Sequence, residues 1–235
     1  MEAAALVHEV GRQAQQNHGR FSLALSGGTT PEHLYRALAS PLQANRFDWS
    51  QTTFFFSDER CVPPDHPDSN FGLANRAFFA PLAISPNHIY RMRGETPDPQ
   101  TAALDYERQL RMIDPLHKED SPQLDLVLLG LGRDGHTASL FPGTSALEEK
   151  QRLVTVGRAP TGVPTRLTLT LGVINEATVV LFLATGAEKA EIVKRVCEPK
   201  TDADRQLPAA LVKPRTGRLI WLLDGPAATL LTVNR

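Results

Sequence analysis

LDLVLLGLGRDGHTASLFPG, residues 124 to 143, decides the fold. From Leu124 to Gly130 the residues are almost continuously apolar, as a strand buried on both faces of a parallel sheet requires; a strand with one wet face would alternate. Gly132 and Gly135 then let the chain reverse around Arg133 and Asp134. The turn presents Asp134, His136, Thr137 and Ser139, with His136 expected at the start of a short helix. Polar side chains crowded onto the end of a buried strand mark a place where open α/β sheets bind ligands.

Outward from this stretch, apolar runs alternate with helical periods. FSLAL from Phe21, TFFFS from Thr53, HIYRM from His88, TVVLFLAT from Thr178 and RLIWLLD from Arg218 read as strands. PEHLYRALAS, SNFGLANRAFF, PDPQTAALDYERQLRMI and AEKAEIVKRV have apolar residues three or four apart and read as helices, as does the amino-terminal MEAAALVHEVGRQAQQ. The alternation predicts an α/β architecture: a Rossmann-like, doubly wound, mostly parallel sheet with helices on both faces. LVTVG and RLTLTL, between Leu153 and Leu171, read instead as a small antiparallel excursion. No repeat, low-complexity tract or linker divides the chain, so residues 1–235 are expected to form a single domain.

Composition narrows the function. The 235 residues carry 25 basic and 26 acidic side chains, a formal charge of −1, which gives no general field for nucleic acid or an anionic membrane. Any bound anion must be met locally. Cys61 and Cys197 have no partner pattern, so neither a disulfide framework nor a thiolate metal site is expected. Glu2, His8 and Glu9 interrupt the apolar stretch that a secretory signal would need, and a cytoplasmic location is expected.

Four loops carry chemistry. SGGTTP, from Ser26 to Pro31, follows a strand and opens a helix. Gly27 and Gly28 allow close backbone approach, and the Ser26 to Thr29 amides with the helix dipole would suit a phosphate. Alone it is equally a tight turn capped by Thr29 or Thr30. Asp58, Glu59 and Arg60 stand where the second strand ends, where a solvated ion pair is the plainer reading. His136 is the natural general base, since histidine changes charge near neutral pH, and Asp134 would either orient its ring or accept a substrate hydroxyl. Lys189 falls in the first turn of a helix, where the macrodipole disfavours a cation unless an anion sits beside it. Arg166 is either a partner of that anion or a solvated strand-edge charge.

Together the motifs LALSGGTTP, FFFSDERCVP with HPDSNF, LDLVLLGLGRDGHTASLFPG, ATGAEKA and LPAALV resemble the 6-phosphogluconolactonases, and more distantly the glucosamine-6-phosphate deaminases and ribose-5-phosphate isomerases of the same fold. The resemblance runs from Phe21 to Val212. It implies a hydrolase that opens 6-phospho-D-glucono-1,5-lactone in the pentose phosphate pathway. His136 would deprotonate the attacking water with Asp134 beside it, and Asp58 and Arg60 would belong to the catalytic set. Ser26, Gly27, Gly28, Thr29, Arg166 and Lys189 would surround the phosphate. The deaminases have an acid where Phe141 stands and a tyrosine where Arg60 stands, which favours the lactonase over a deaminase or isomerase. A non-catalytic sugar-phosphate sensor is the third reading, against which His136 speaks. A lactone is an activated ester, so a base, an oxyanion stabiliser and a grip on the remote phosphate suffice. Neither metal nor organic cofactor is expected, nor a partner beyond the sugar-phosphate lactone; the expected state is a monomer or small homo-oligomer.

Overall fold

The computed structural model describes residues 2–112 and 122–232. In chain order the elements are α1 (Glu2–His18), β1 (Phe21–Leu25), α2 (Thr29–Leu38), β2 (Thr52–Phe56), β3 (Asp58–Arg60), α3 (Asn70–Ala74), α4 (Pro99–Arg111) and β4 (Leu126–Gly130). They continue with α5 (Ser145–Glu148), β5 (Val154–Arg158), β6 (Thr165–Leu169), α6 (Leu171–Glu176), β7 (Val179–Ala184), α7 (Ala190–Cys197), α8 (Asp202–Arg205), β8 (Arg218–Leu223) and α9 (Gly225–Ala228). Among the described residues no helix is long and apolar enough to cross a membrane.

The main sheet has the order β2-β1-β4-β7-β8, with every adjacent pair parallel. The chain moves outward from β1 to β2, then returns past β1 to β4, so the order reverses between β1 and β4. Side chains alternate across the sheet, and each strand feeds a core on either face. Leu126 and Leu128 of β4 join α1 and α2 on one side, while Val127 and Leu129 join α4, α6 and α7 on the other. This two-sided burial explains the unbroken apolar run at residues 126–129.

A second sheet, β3-β6-β5, is antiparallel throughout. The expected pair of strands therefore gains a third, Asp58–Arg60, one residue beyond β2. Asp58 pairs with Thr168 and Arg60 with Arg166, so the residues expected at a strand end are themselves paired. The small sheet leans on the main core through Leu167 and Leu169.

Four expectations are corrected. HIYRM forms no strand: Ser85 and Pro86 open a short 3-10 turn, Ile89 makes a single bridge to Phe54, and the chain leaves the sheet. At Gly94 it lies against the Arg60 carbonyl, where a side chain would not fit. The helix from Asn70 widens into a π-turn over Asn75–Phe79, with Ala80 N donating to Asn75 O. No helix begins at His136; a tight turn bridging Thr137 and Leu140 takes its place, and helix resumes only at Ser145. The expected helix through Ile113 ends at Arg111, and Ile113 lies outside the described residues.

Candidate active site

The loops after β1 and β4 meet where the strand order reverses, the place where a doubly wound sheet opens a crevice. A cavity of about 230 Å³ lies there, lined by Ser26, Gly27 and Gly28 from the first loop and by Gly130 to Gly132, His136 and Ala138 from the second. Asp58, Arg60 and Asn70 enter from the small sheet's side, and Lys189 from the loop after β7. Sequence-predicted Ser26, Gly27, Gly28, Asp58, Arg60, His136 and Lys189 thus share one wall-to-wall space. Asp134 stands behind His136, while Thr29 and Arg166 are not part of the lining.

The imidazole of His136 is held from two sides. Its Nδ1 lies 2.5 Å from Asp134 Oδ1, and the Phe141 ring packs on it at 4.4 Å between centroids. The His136 main-chain N–H donates to the same carboxylate oxygen at 3.1 Å. Burial pushes the Asp134 carboxyl up, but the His136 charge and these hydrogen bonds outweigh it and hold the group below its ordinary value. An ionised carboxylate on Nδ1 selects the tautomer that leaves Nε2 as the basic nitrogen. Gly132 is required here, because a Cβ at this position would overlap the His136 ring. Ala138 lies at φ 47°, in the left-handed region that costs a non-glycine residue roughly 1–2 kcal/mol.

At the opposite wall the loop after β1 is pinned by Tyr35, whose hydroxyl accepts from Ser26 N at 3.0 Å and donates to Ser26 O at 2.6 Å. Ser26 Oγ is buried without a partner. The α2 terminus has no side-chain cap, leaving its first amides available. Thr30 is bonded to Thr185 at 2.8 Å, tying this loop to the one that carries Lys189.

The cations differ in their surroundings. Lys189 Nζ donates to Leu131 O at 2.8 Å; burial holds the ammonium below the ordinary lysine range against the pull of Glu188, and Arg133 adds to the depression. Arg60 donates from Nη1 to Asp68 O at 2.6 Å, and its Nε is buried without a partner. Arg166, directly across the ladder, donates from Nε to Val163 O at 2.7 Å. Burial and the neighbouring Arg60 charge lower its pKa. Two like charges opposite each other on adjacent strands are unfavourable without an anion nearby.

Sequence reasoning assigns no role to Asn70, Glu59 or Ser139. Glu59 is 2% exposed and caps α3, accepting from Asn70 N at 2.7 Å, Phe71 N at 2.8 Å and Ser69 Oγ at 3.0 Å. Asn70 packs against Gly27, whose missing Cβ leaves the space for its amide. The available signal is HPDSN itself: Ser69 is a sufficient N-cap, so a buried asparagine after it has no helical purpose. Among the described residues no group of three or more His, Cys, Asp and Glu side chains is placed to hold a metal ion.

Comparison with known proteins places the chain in a family. A curated 6-phosphogluconolactonase of Rattus norvegicus is 43% identical over 219 residues, covering 92% of this chain and 83% of the relative. One from Nostoc sp. is 41% identical over 220 residues, covering 94% and 88%. The solved 6-phosphogluconolactonase from Trypanosoma cruzi superposes with a TM-score of 0.86 at 30% identity, over 98% of this chain and 92% of that one. Residues 1–221 match the family model described as glucosamine-6-phosphate isomerases/6-phosphogluconolactonase, and the chain belongs to that family.

Proposed function

We propose that this cavity hydrolyses 6-phospho-D-glucono-1,5-lactone to 6-phospho-D-gluconate, in the pentose phosphate pathway, with His136 as general base. The observation that carries the reading is the His136 ring, fixed by Asp134, opening onto the same cavity as the glycine loop and Lys189. Nε2 takes a proton from water as the water oxygen bonds to the lactone carbonyl carbon. The carbonyl becomes an oxyanion, which the Arg60 guanidinium stabilises. Collapse breaks the ring C–O bond, and the proton returns to the departing ring oxygen as a hydroxyl.

The Ser26 to Thr29 amides and Lys189 take the remote phosphate, with Arg166 supporting the field beside Arg60. Phe141 against His136 leaves no acid there to open an amino-sugar ring, which separates this reading from deamination. In this reading the chain acts as one α/β unit in the cytoplasm, as a monomer or small homo-oligomer, with no metal or organic cofactor. The test is to add purified protein to freshly made 6-phosphogluconolactone and follow acid release against the spontaneous rate. Release at the spontaneous rate alone overturns the reading.

A further inference from the structure

Asp58 is held more firmly than a structural aspartate at a strand end requires. Asp58 lines the cavity yet is only 6% exposed. Oδ2 accepts from Ser139 Oγ at 2.7 Å, and Oδ1 accepts from Asn70 Nδ2 at 3.1 Å. The same Nδ2 donates to the Asp58 main-chain oxygen at 2.9 Å. Both donors are themselves anchored. Ser139 N donates to Thr168 Oγ1 at 3.2 Å, and Thr168 is the cross-strand partner of Asp58. Asn70 opens α3 with its remaining amide oxygen unpartnered against Gly27. The left-handed backbone at Ala138 turns one residue into the cavity and the next, Ser139, into the wall behind Asp58.

A carboxylate has roughly four acceptor positions, and these two side chains use two. No ion pair to Asp58 is found among the described residues, so the remaining capacity faces the cavity. A group that only accepts cannot serve the developing oxyanion, which it would repel. What it can take is a hydroxyl, and ring hydroxyls distinguish a sugar lactone from a bare one. We infer that Asp58 accepts a hydrogen bond from a ring hydroxyl of the substrate, and that Ser139 and Asn70 are the positioning residues that aim its carboxylate. The inference rests on the lactonase reading above and adds the feature of the substrate that this wall selects.

The experiment compares kcat/KM for 6-phosphogluconolactone with its 2-deoxy, 3-deoxy and 4-deoxy counterparts, in the wild type, Ser139→Ala and Asp58→Asn, alongside thermal unfolding of each. The wild type is expected to favour the parent over one deoxy lactone by about ten- to a hundredfold, the range for a hydrogen bond to a charged group. Both substitutions should bring that ratio towards one by slowing the parent alone. Asp58→Asn keeps the shape of the side chain, so the comparison survives if Ser139→Ala unfolds. Equal treatment of all four lactones by the wild type, or a preference that persists in both variants, overturns the inference. A purely structural role would slow every lactone alike. A folded wild type that leaves the parent lactone at its spontaneous rate overturns the lactonase reading before any ratio can be formed.

Discussion

His136 and Glu59 show how differently two buried-side contacts are used. The His136 ring is fixed by Asp134 and Phe141 but reaches the cavity; as the proposed general base it would contribute to the transition state and not to substrate binding. His136→Ala should lower kcat by about 10²–10⁴-fold. Binding of 6-phosphogluconate, followed by calorimetry, should stay near the parental value; turnover near the parental rate would assign the base elsewhere. Glu59 faces away from the cavity and holds the start of α3. Burial raises its pKa despite hydrogen bonds from the Phe71, Asn70 and Arg60 amides. The folded state therefore binds more protons than the unfolded chain above the ordinary glutamate pKa, and this group's contribution to stability declines as pH rises through the interval between the two values. Glu59→Gln lacks the titration. Denaturant unfolding of both proteins from pH 4 to 8 should show the wild type losing stability relative to Glu59→Gln as pH rises, and parallel curves would refute the assignment.

At the scale of elements, the outer edge of β2 is where the sheet would otherwise expose unpaired backbone. Helix α4 closes it: the Tyr106 hydroxyl accepts from Phe56 N at 2.7 Å, and Tyr90 N donates to Phe54 O at 2.8 Å beside it. Tyr106 is fully buried, so no water replaces its hydroxyl. Tyr106→Phe should cost about 1–3 kcal/mol, the penalty for a buried N–H left without a partner. Equilibrium urea unfolding measures it, and a change below about 0.5 kcal/mol would mean the amide finds another acceptor. The α2 and α4 periods are legible in the sequence because each buries one stripe against the sheet. The strand at Asp58–Arg60 is not legible, since its pairing partner lies more than a hundred residues later. Nor is the loss of the strand expected at His88, where a 3-10 turn at Pro86–His88 leaves Ile89 a single bridge to Phe54.

Across the whole molecule, the site depends on topology bringing together loops that follow β1, β2, β4 and β7. Lys189 lines the cavity and Arg166 stands outside its lining, beside Arg60. Lys189→Ala should therefore reduce kcat/KM for 6-phosphogluconolactone by about ten- to a hundredfold, with a smaller loss for Arg166→Ala. Hydrolysis of unphosphorylated gluconolactone, which offers Lys189 nothing to hold, should barely change. Steady-state kinetics on both lactones decides the matter: equal losses would place Lys189 in the fold or the chemistry and move the phosphate pocket elsewhere.

The buried run at residues 126–129, the glycine turn after it and the alternation of strands with helices follow from local chemistry, and each is readable without coordinates. Apolar periodicity reports which faces are covered, and glycine reports where the backbone must bend or be approached closely. His136, Asp134 and the loop from Ser26 were legible for the same reason: each lies at the end of a recognisable strand. Only the tertiary structure decided that Asp58 is gripped by Ser139 and Asn70, that Arg166 sits across the ladder from Arg60, and that Ala138 bends the turn into a left-handed conformation instead of starting a helix. These contacts join segments far apart in sequence. Their energies depend on burial and hydrogen-bond geometry, which exist only once the small sheet has packed across the crevice between β1 and β4.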